Sequence, residues 1–221
     1  MVKNTDLFDT RYSIAGALID SRTYPWEVLP EISSYIMEIG KTLPADEFDK
    51  VGDNVWIAKD ATVFSSAYIG GPCIIDHGAE VRQCAFIRGS AIVGKGVTIG
   101  NSTELKNAII FDGAQVPHFN YAGDSILGYK AHMGAGSITS NLKSDKKNVV
   151  IKAQDETMET GMRKIGAFLG DNVEVGCNSV LNPGTIIGRD SIIYPLSCVR
   201  GVIPEKSILK TGGIVCPREE R

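Results

Sequence analysis

VGDNVW, IAKDAT, VFSSAY, IGGPCI, IDHGAE, VRQCAF, IRGSAI, VGKGVT, IGNSTE, LKNAII, FDGAQV, PHFNYA: from Val51 to Ala122 the chain divides without a gap into twelve units of six residues. All but the last open on an aliphatic residue or Phe. The fifth place is usually small or β-branched, as a side chain pointing into a narrow prism must be, and glycine recurs where the chain turns. An ordinary sheet protein does not hold one apolar phase through so many units. The reading is an all-β fold, a parallel β-helix of hexapeptide repeats.

Beyond Ala122 the phase slips by four residues and resumes at Leu127 with LGYKAH and MGAGSI; from Leu169 six more units run to VRGVIP, so the solenoid is expected to end near Pro204. Between them residues 140–164 are polar and off-pattern, longer than the ~12 to 15 residues at which a loop calls for a functional reason. Their VVIKA and METGM runs are expected to pair as a hairpin. Upstream, Trp26 to Lys41 spaces Val28, Ile32, Ile36 and Ile39 at helical intervals after Pro25, which predicts a short helical cap over the open end of the solenoid. The expected organisation is a cap over 1–48, a β-helix over 49–204 with the loop 140–164 inserted, and a tail over 205–221. With three units per coil, residues 18 apart stack at ~4.8 Å. One outward column then reads Trp56, Ile74, Ile92, Ile110, an apolar stripe that needs a cover, either a second subunit or the N-terminal helix. The other two columns, Thr62-Glu80-Thr98-Val116 and Tyr68-Phe86-Glu104-Ala122, are mixed.

A formal charge of −3 and a pI near 5.7 give no footprint for nucleic acid or an anionic membrane. No stretch approaches the ~18 apolar residues of a membrane span, and the N-terminus lacks a signal-peptide core, so a cytoplasmic protein is expected. The five cysteines (Cys73, Cys84, Cys177, Cys198, Cys216) are scattered without C-x-x-C spacing, and neither a disulfide framework nor a structural metal is expected.

Arg88 and Lys106 both occupy the second place of a unit and lie 18 apart, so two cations should stack on one edge. They either clasp an anion such as phosphate or splay into solvent. Gly100 would lie one coil below His118, leaving room beside the imidazole. His118 itself follows Pro117 where the phase begins to slip, and the stacked cations, the space beside His118 and the slip are expected to converge on one edge.

Two motifs carry a resemblance. HFNYAGD (118–124) is similar to an H-x-x-Y-x-G-D pattern, and GAGSITSN (134–141) to G-A-G-[ST]-I-T-x-N, at the separation they have in the acetyltransferase domain of the bifunctional bacterial enzyme that makes UDP-N-acetylglucosamine. The chain resembles that domain from about Val51 to Pro204. The resemblance implies a left-handed β-helix, a homotrimer with sites between prisms, and acetyl transfer from acetyl-CoA to an amino-sugar 1-phosphate, glucosamine-1-phosphate first. It casts His118 as general base, with no acyl-enzyme, and the backbone N–H of Ala135 as oxyanion donor and cofactor contact. Arg88, Lys106, Tyr121 and Lys147 would hold the phosphate; Glu104 and Asn141 would orient the sugar; Cys177 and Pro195 would line the cofactor. Departures are His132 where the family has a sugar-contacting Asn, Cys177 for a Ser, Tyr194 and Pro195 for two small residues, and a longer loop around Lys147. The nucleotidyltransferase half is not expected, because the residues before the repeat are too few and too helical to supply its phosphate loop.

Three alternatives compete. Another acceptor, galactosamine-1-phosphate or a nucleotide-linked amino sugar, keeps the chemistry. A zinc enzyme similar to the β-helical carbonic anhydrases would need three His, and His77, His118 and His132 lack the expected close pair. A non-catalytic assembly module would leave the His118, Tyr121, Asn141 convergence without a purpose.

Overall fold

The computed structural model describes residues 1–153 and 156–219. Its backbone winds as a three-faced solenoid of short parallel strands, so the β-helix expected from the repeat is what forms. Face A stacks Trp56, Ile74, Ile92, Ile109, Ile126, Phe168, Ile186 and Val202. Face B stacks Thr62, Glu80, Thr98, Gln115, His132, Glu174, Ile192 and Ile208. Face C stacks Tyr68, Phe86, Glu104, Tyr121, Ile138, Val180 and Cys198. From Val55 to Leu105, and again from Leu127, the first and fifth places point inward and fill the prism, Ile75, Ile87, Leu181 and Ile203 among them. Cys73 belongs to this interior, and burial pushes its thiol up to about 12. Ladder hydrogen bonds run along the axis, so each coil satisfies the backbone of the next.

The columns correct the expected register. Ile92 pairs with Ile109, not Ile110; Thr98 with Gln115, not Val116; Glu104 with Tyr121, not Ala122. The cause is a corner that loses one residue. Where one coil turns from face C to face A through Arg88, Gly89 and Ser90, the next turns through Lys106 and Asn107 alone, and the one after through Gly123 and Asp124. Asn107 and Asp124 sit at φ 50° and 49°, the left-handed region that Asn and Asp tolerate best among non-glycine residues. The expected single slip of four residues is thus two shortenings of one residue each. Gly100 lies beside Pro117, where a Cβ would overlap the Pro117 carbonyl, while His118 stacks on Asn101. The glycine is needed for backbone approach and does not make room for the imidazole.

The N-terminal helices do form, but they lie along face A and do not close the open end. Leu7, Phe8, Ile19, Trp26, Leu29, Ile32 and Ile36 pack on Trp56, Ile74, Ile92, Ile109 and Phe168. The helix Ile32–Ile39 carries Ile32 and Ile36 one turn apart on its buried side, the spacing that presents one stripe to a neighbour. Burying each such side chain is worth roughly 1.5 to 3 kcal/mol, and the apolar column is thereby covered from within the chain. Asp171 ties this layer down, accepting from the Asp9 and Tyr129 amides at 2.8 Å each, while Tyr12 stacks on Tyr129 at 3.8 Å.

The expected hairpin is present. Val150–Lys152 pairs antiparallel with Thr157–Glu159, and Val149 and Ile151 are buried in the face A layer. The loop that carries it leaves the solenoid at the shortened corner, between Thr139 and Ala167. Parallel stacking continues past Pro204 through Ser207–Lys210, which then pairs antiparallel with Ile214–Pro217. No helix among the described residues is long and apolar enough to cross a membrane.

Candidate functional site

His118 stands at the corner between faces B and C. Its carbonyl accepts from the Gly136 amide at 3.0 Å, the Ala135 carbonyl from Asn178 at 2.8 Å, and the Cys177 carbonyl from Leu196 at 2.9 Å. His118, Ala135, Cys177 and Pro195 therefore form one vertical column on one edge, although they are 17, 42 and 18 residues apart in sequence. The corner is held by a residue that sequence reasoning missed. Asn120, buried, accepts from the His118 amide at 2.9 Å and donates to the Gly134 and Ser137 carbonyls at 2.8 and 3.0 Å. Asn120 is the fourth residue of PHFNYA and takes an inward fifth place only once the corner at Lys106 and Asn107 has lost its residue, so the repeat alone carried no signal for it. Phe119, between His118 and Asn120, is held at φ 52° and is 64 % exposed.

The His118 imidazole is exposed and bonds to no group of the described residues. The amides of Ala135 and Cys177 above it are likewise unbonded there. Beside this edge lies a groove of about 410 Å³ lined by Arg82, Gln115, Pro117, His118, His132, Ala135 and Cys177 among others, within the size range of small-molecule sites. A free imidazole, two free amide donors and a groove are parts suited to proton abstraction next to a developing oxyanion.

The remaining expected residues gather on face C and its far edge. Arg88 Nη1 donates to Glu104 Oε1 at 2.8 Å. Lys106 Nζ donates to both Asp124 oxygens, at 2.9 and 3.0 Å. Asn141 Nδ2 lies 3.0 Å from the Tyr121 hydroxyl and 2.5 Å from Asp124 Oδ2, and Asn107 adds a bond of 3.0 Å to Asp124 Oδ1. Burial, with Asp124 and Glu104 adding to it, pushes the Tyr121 phenol above its ordinary value. Asp124, the last residue of HFNYAGD and only 4 % exposed, is the hub. Its function is legible once its left-handed φ turns the carboxylate toward Lys106 and Asn141.

Two expectations change. The stacked cations and His118 do not share an edge; they flank face C from opposite sides, with Glu104 and Tyr121 between. Nor do Arg88 and Lys106 face each other across an empty anion site, since each is neutralised by its own carboxylate. Lys147 stays outside the cluster: its side chain is exposed, it forms no ion pair among the described residues, and its amide donates to Asp145. His77 lies on another edge, 2.9 Å from Asp60 and 3.3 Å from Glu47, apart from the other two histidines.

Residues 69–187 match the family model described as the GMPPB C-terminal domain. The chain belongs to that family. The matched span contains the solenoid edge with His118 and the whole Asp124 cluster. Among known proteins the chain is 36 % identical over 146 residues to the bifunctional sugar-1-phosphate nucleotidylyltransferase/acetyltransferase of Sulfurisphaera tokodaii, covering 66 % of this chain and 36 % of that one. It is 36 % identical over 188 residues to the bifunctional protein GlmU of Methanococcus maripaludis, covering 84 % and 46 %. With the uncharacterized acetyltransferase YaiX of Escherichia coli it shares 29 % over 170 residues, 74 % of each. The chain spans less than half the length of the two bifunctional relatives. The resemblance carried by the two motifs is thus found again over most of the solenoid.

Proposed function

We propose that the protein is an acetyl-CoA-dependent N-acetyltransferase acting on an amino-sugar 1-phosphate, glucosamine-1-phosphate first among them. The observation that carries the reading is the free His118 imidazole beside the unbonded Ala135 amide, one face away from the Arg88, Lys106, Tyr121 and Asn141 cluster. The names of the matched relatives, a bifunctional sugar-1-phosphate nucleotidylyltransferase/acetyltransferase and an acetyltransferase among them, support acetyl transfer.

In this reading the acceptor sugar lies across face C and the groove beside it. Glu104 and Asn141 orient its hydroxyls, and Arg88, Lys106 and Tyr121 meet its phosphate. Because both cations already carry a carboxylate, the phosphate binds to donors that remain on the guanidinium, the ammonium and the phenol. Lys147 would join it only by movement of the loop. The acceptor nitrogen attacks the thioester carbon, a ring nitrogen of His118 takes the proton released as the N–C bond forms, and the Ala135 amide meets the oxyanion. The C–S bond breaks, and the imidazolium returns its proton to the departing sulfur. Acetyl-CoA runs up the His118, Ala135, Cys177, Pro195 column, toward a cavity of about 800 Å³ lined by Tyr194, Lys206 and Arg218 among others.

A homotrimer with sites between prisms belongs to the same proposal. Face A is covered by the helices and the hairpin, so the contact would use faces B and C, where Tyr68, Phe86 and Phe119 are exposed. The test of function is a CoA-release screen over amino sugars with and without a 1-phosphate. Release with the phosphorylated amines supports the reading, and none with any amine acceptor refutes it.

A further inference from the structure

A second imidazole opens on the groove that holds His118. His132 projects from face B one coil above Gln115, three residues before Ala135, and lines the same 410 Å³ space. Its Nδ1 lies 2.9 Å from Oε2 of Glu174, the residue paired with it in the next coil. A carboxylate there holds the proton on Nδ1 and leaves Nε2 as a lone-pair acceptor. Nε2 itself bonds to nothing among the described residues. His77 supplies the contrast: it too meets carboxylates, but both its ring nitrogens are occupied, by Asp60 and Glu47, and neither is available to a ligand.

The charged groups around His132 leave Glu174 as its own partner. Arg82, across the groove, is tied to Glu80 at 2.7 Å. Lys130, in the adjoining hollow with Glu174, has its ammonium over the Tyr129 ring at 5.1 Å. The other imidazole on the groove is His118. One coil and three extended residues separate the backbones of His118 and His132, about 11 Å by strand geometry, so an amine held in the groove between them lies within reach of both.

We infer that His132, backed by Glu174, is a second catalytic base, which converts the bound acceptor ammonium to the free amine before His118 acts. The inference rests on the acetyl transfer proposed above. N-acetylation of an ammonium removes two protons from one nitrogen, and one unpaired imidazole accepts one at a time. In the first step the ammonium N–H bond breaks, Nε2 of His132 takes the proton, and the imidazolium, 34 % exposed, passes it to water. In the second the amine nitrogen bonds to the thioester carbon and the C–S bond breaks. The remaining proton moves through His118 to the thiolate, and one proton in total is released to solvent per acetyl group transferred.

The experiment is the pH dependence of kcat/KM for the acceptor in wild type, His132→Asn and Glu174→Gln, with KM for acetyl-CoA as the check on binding and circular dichroism as the check on folding. At pH 7 His132→Asn should lose about tenfold to a hundredfold, at the low end of what a general base contributes. The deficit should shrink to about threefold or less by pH 9, where the acceptor amine is already deprotonated. Glu174→Gln should show the same pH-dependent deficit, smaller. A loss that is equal at every pH would assign His132 to binding or structure, and an unchanged profile would remove it from the site; either overturns the inference while leaving acetyl transfer intact. Wild type that releases no CoA with any amine acceptor would instead bring down the proposed function together with this inference.

Discussion

Replacing Lys106 by Met and Asp124 by Asn, singly and together, weighs the hub on which the face C cluster depends. Asp124 is 4 % exposed and accepts four hydrogen bonds, two from Lys106 and one each from Asn107 and Asn141. Breaking a fully buried ion pair from one side costs about 3 to 5 kcal/mol. The Lys106 side chain is 27 % exposed, so water softens the loss, and about 2 to 3 kcal/mol is the expectation for Lys106→Met. Asp124→Asn keeps a residue that tolerates left-handed φ, but it turns an amide donor toward donors; a similar cost is expected. In the double variant neither charge is orphaned. Its destabilisation should fall short of the sum by about 1 to 2 kcal/mol, the coupling of two groups in contact. For a chain of this size 1 kcal/mol moves Tm by about 2 to 4 °C, so each single variant should melt roughly 4 to 12 °C low. Thermal melts followed by circular dichroism supply the four values. Free energies that add to within about 0.5 kcal/mol would refute the hub, because independent sites behave that way.

Three further outcomes follow from the same geometry. Arg88→Ala should raise KM for a phosphorylated acceptor by about one to two decades, the worth of a charge-assisted contact of ~1.5 to 3 kcal/mol, and leave KM for acetyl-CoA unchanged; equal loss with an unphosphorylated amine would show that Arg88 does not meet phosphate. Burial pulls the His77 imidazole down, but hydrogen bonds to Asp60 and Glu47 outweigh it and raise its pKa above the ordinary value. Its stabilisation is therefore complete below about pH 6.5 and lost as pH rises through the raised pKa, so His77→Gln should lower Tm at pH 5.5 and have little effect at pH 9, with the reverse order excluding the pairing. Light scattering should return about three chain masses at micromolar protein, with a monomer contradicting the assembly.

Most inward positions were legible from the repeat itself: from Val55 to Leu105, and again from Leu127, aliphatic or small first and fifth places lie in the prism, whereas Ile109, a fifth place of the unbroken register, faces the helices. The lost corner residues were not, because Ile109, Ile110 and Phe111 form an unbroken apolar run that satisfies either phase. Only the left-handed Asn107 and Asp124 decide it, with Ile110 inward and Phe111 outward against Phe8, ring centroids 5.2 Å apart. Likewise the stripe on face A announced that it needed a cover, but helical spacing in residues 26–41 carries no information on whether that helix closes an end or lies along a side. In the site, motif residues with side chains aimed outward were found, whereas Asn120 and Asp124 act through corners whose geometry depends on neighbouring coils. The His132 pairing with Glu174 spans 42 residues and an inserted loop, so spacing along the chain could not reveal it.

The central claim is direct transfer with His118 as base, and steady-state CoA release by His118→Ala and Cys177→Ala tests it most directly. Both variants should remain folded and bind acetyl-CoA. kcat should fall by about 10² to 10⁴ in His118→Ala, the usual contribution of a general base, and much less in Cys177→Ala, whose thiol forms no covalent intermediate in this account. If Cys177→Ala were dead while His118→Ala kept near-parent kcat, direct transfer would be contradicted and an acetyl-cysteine would take its place.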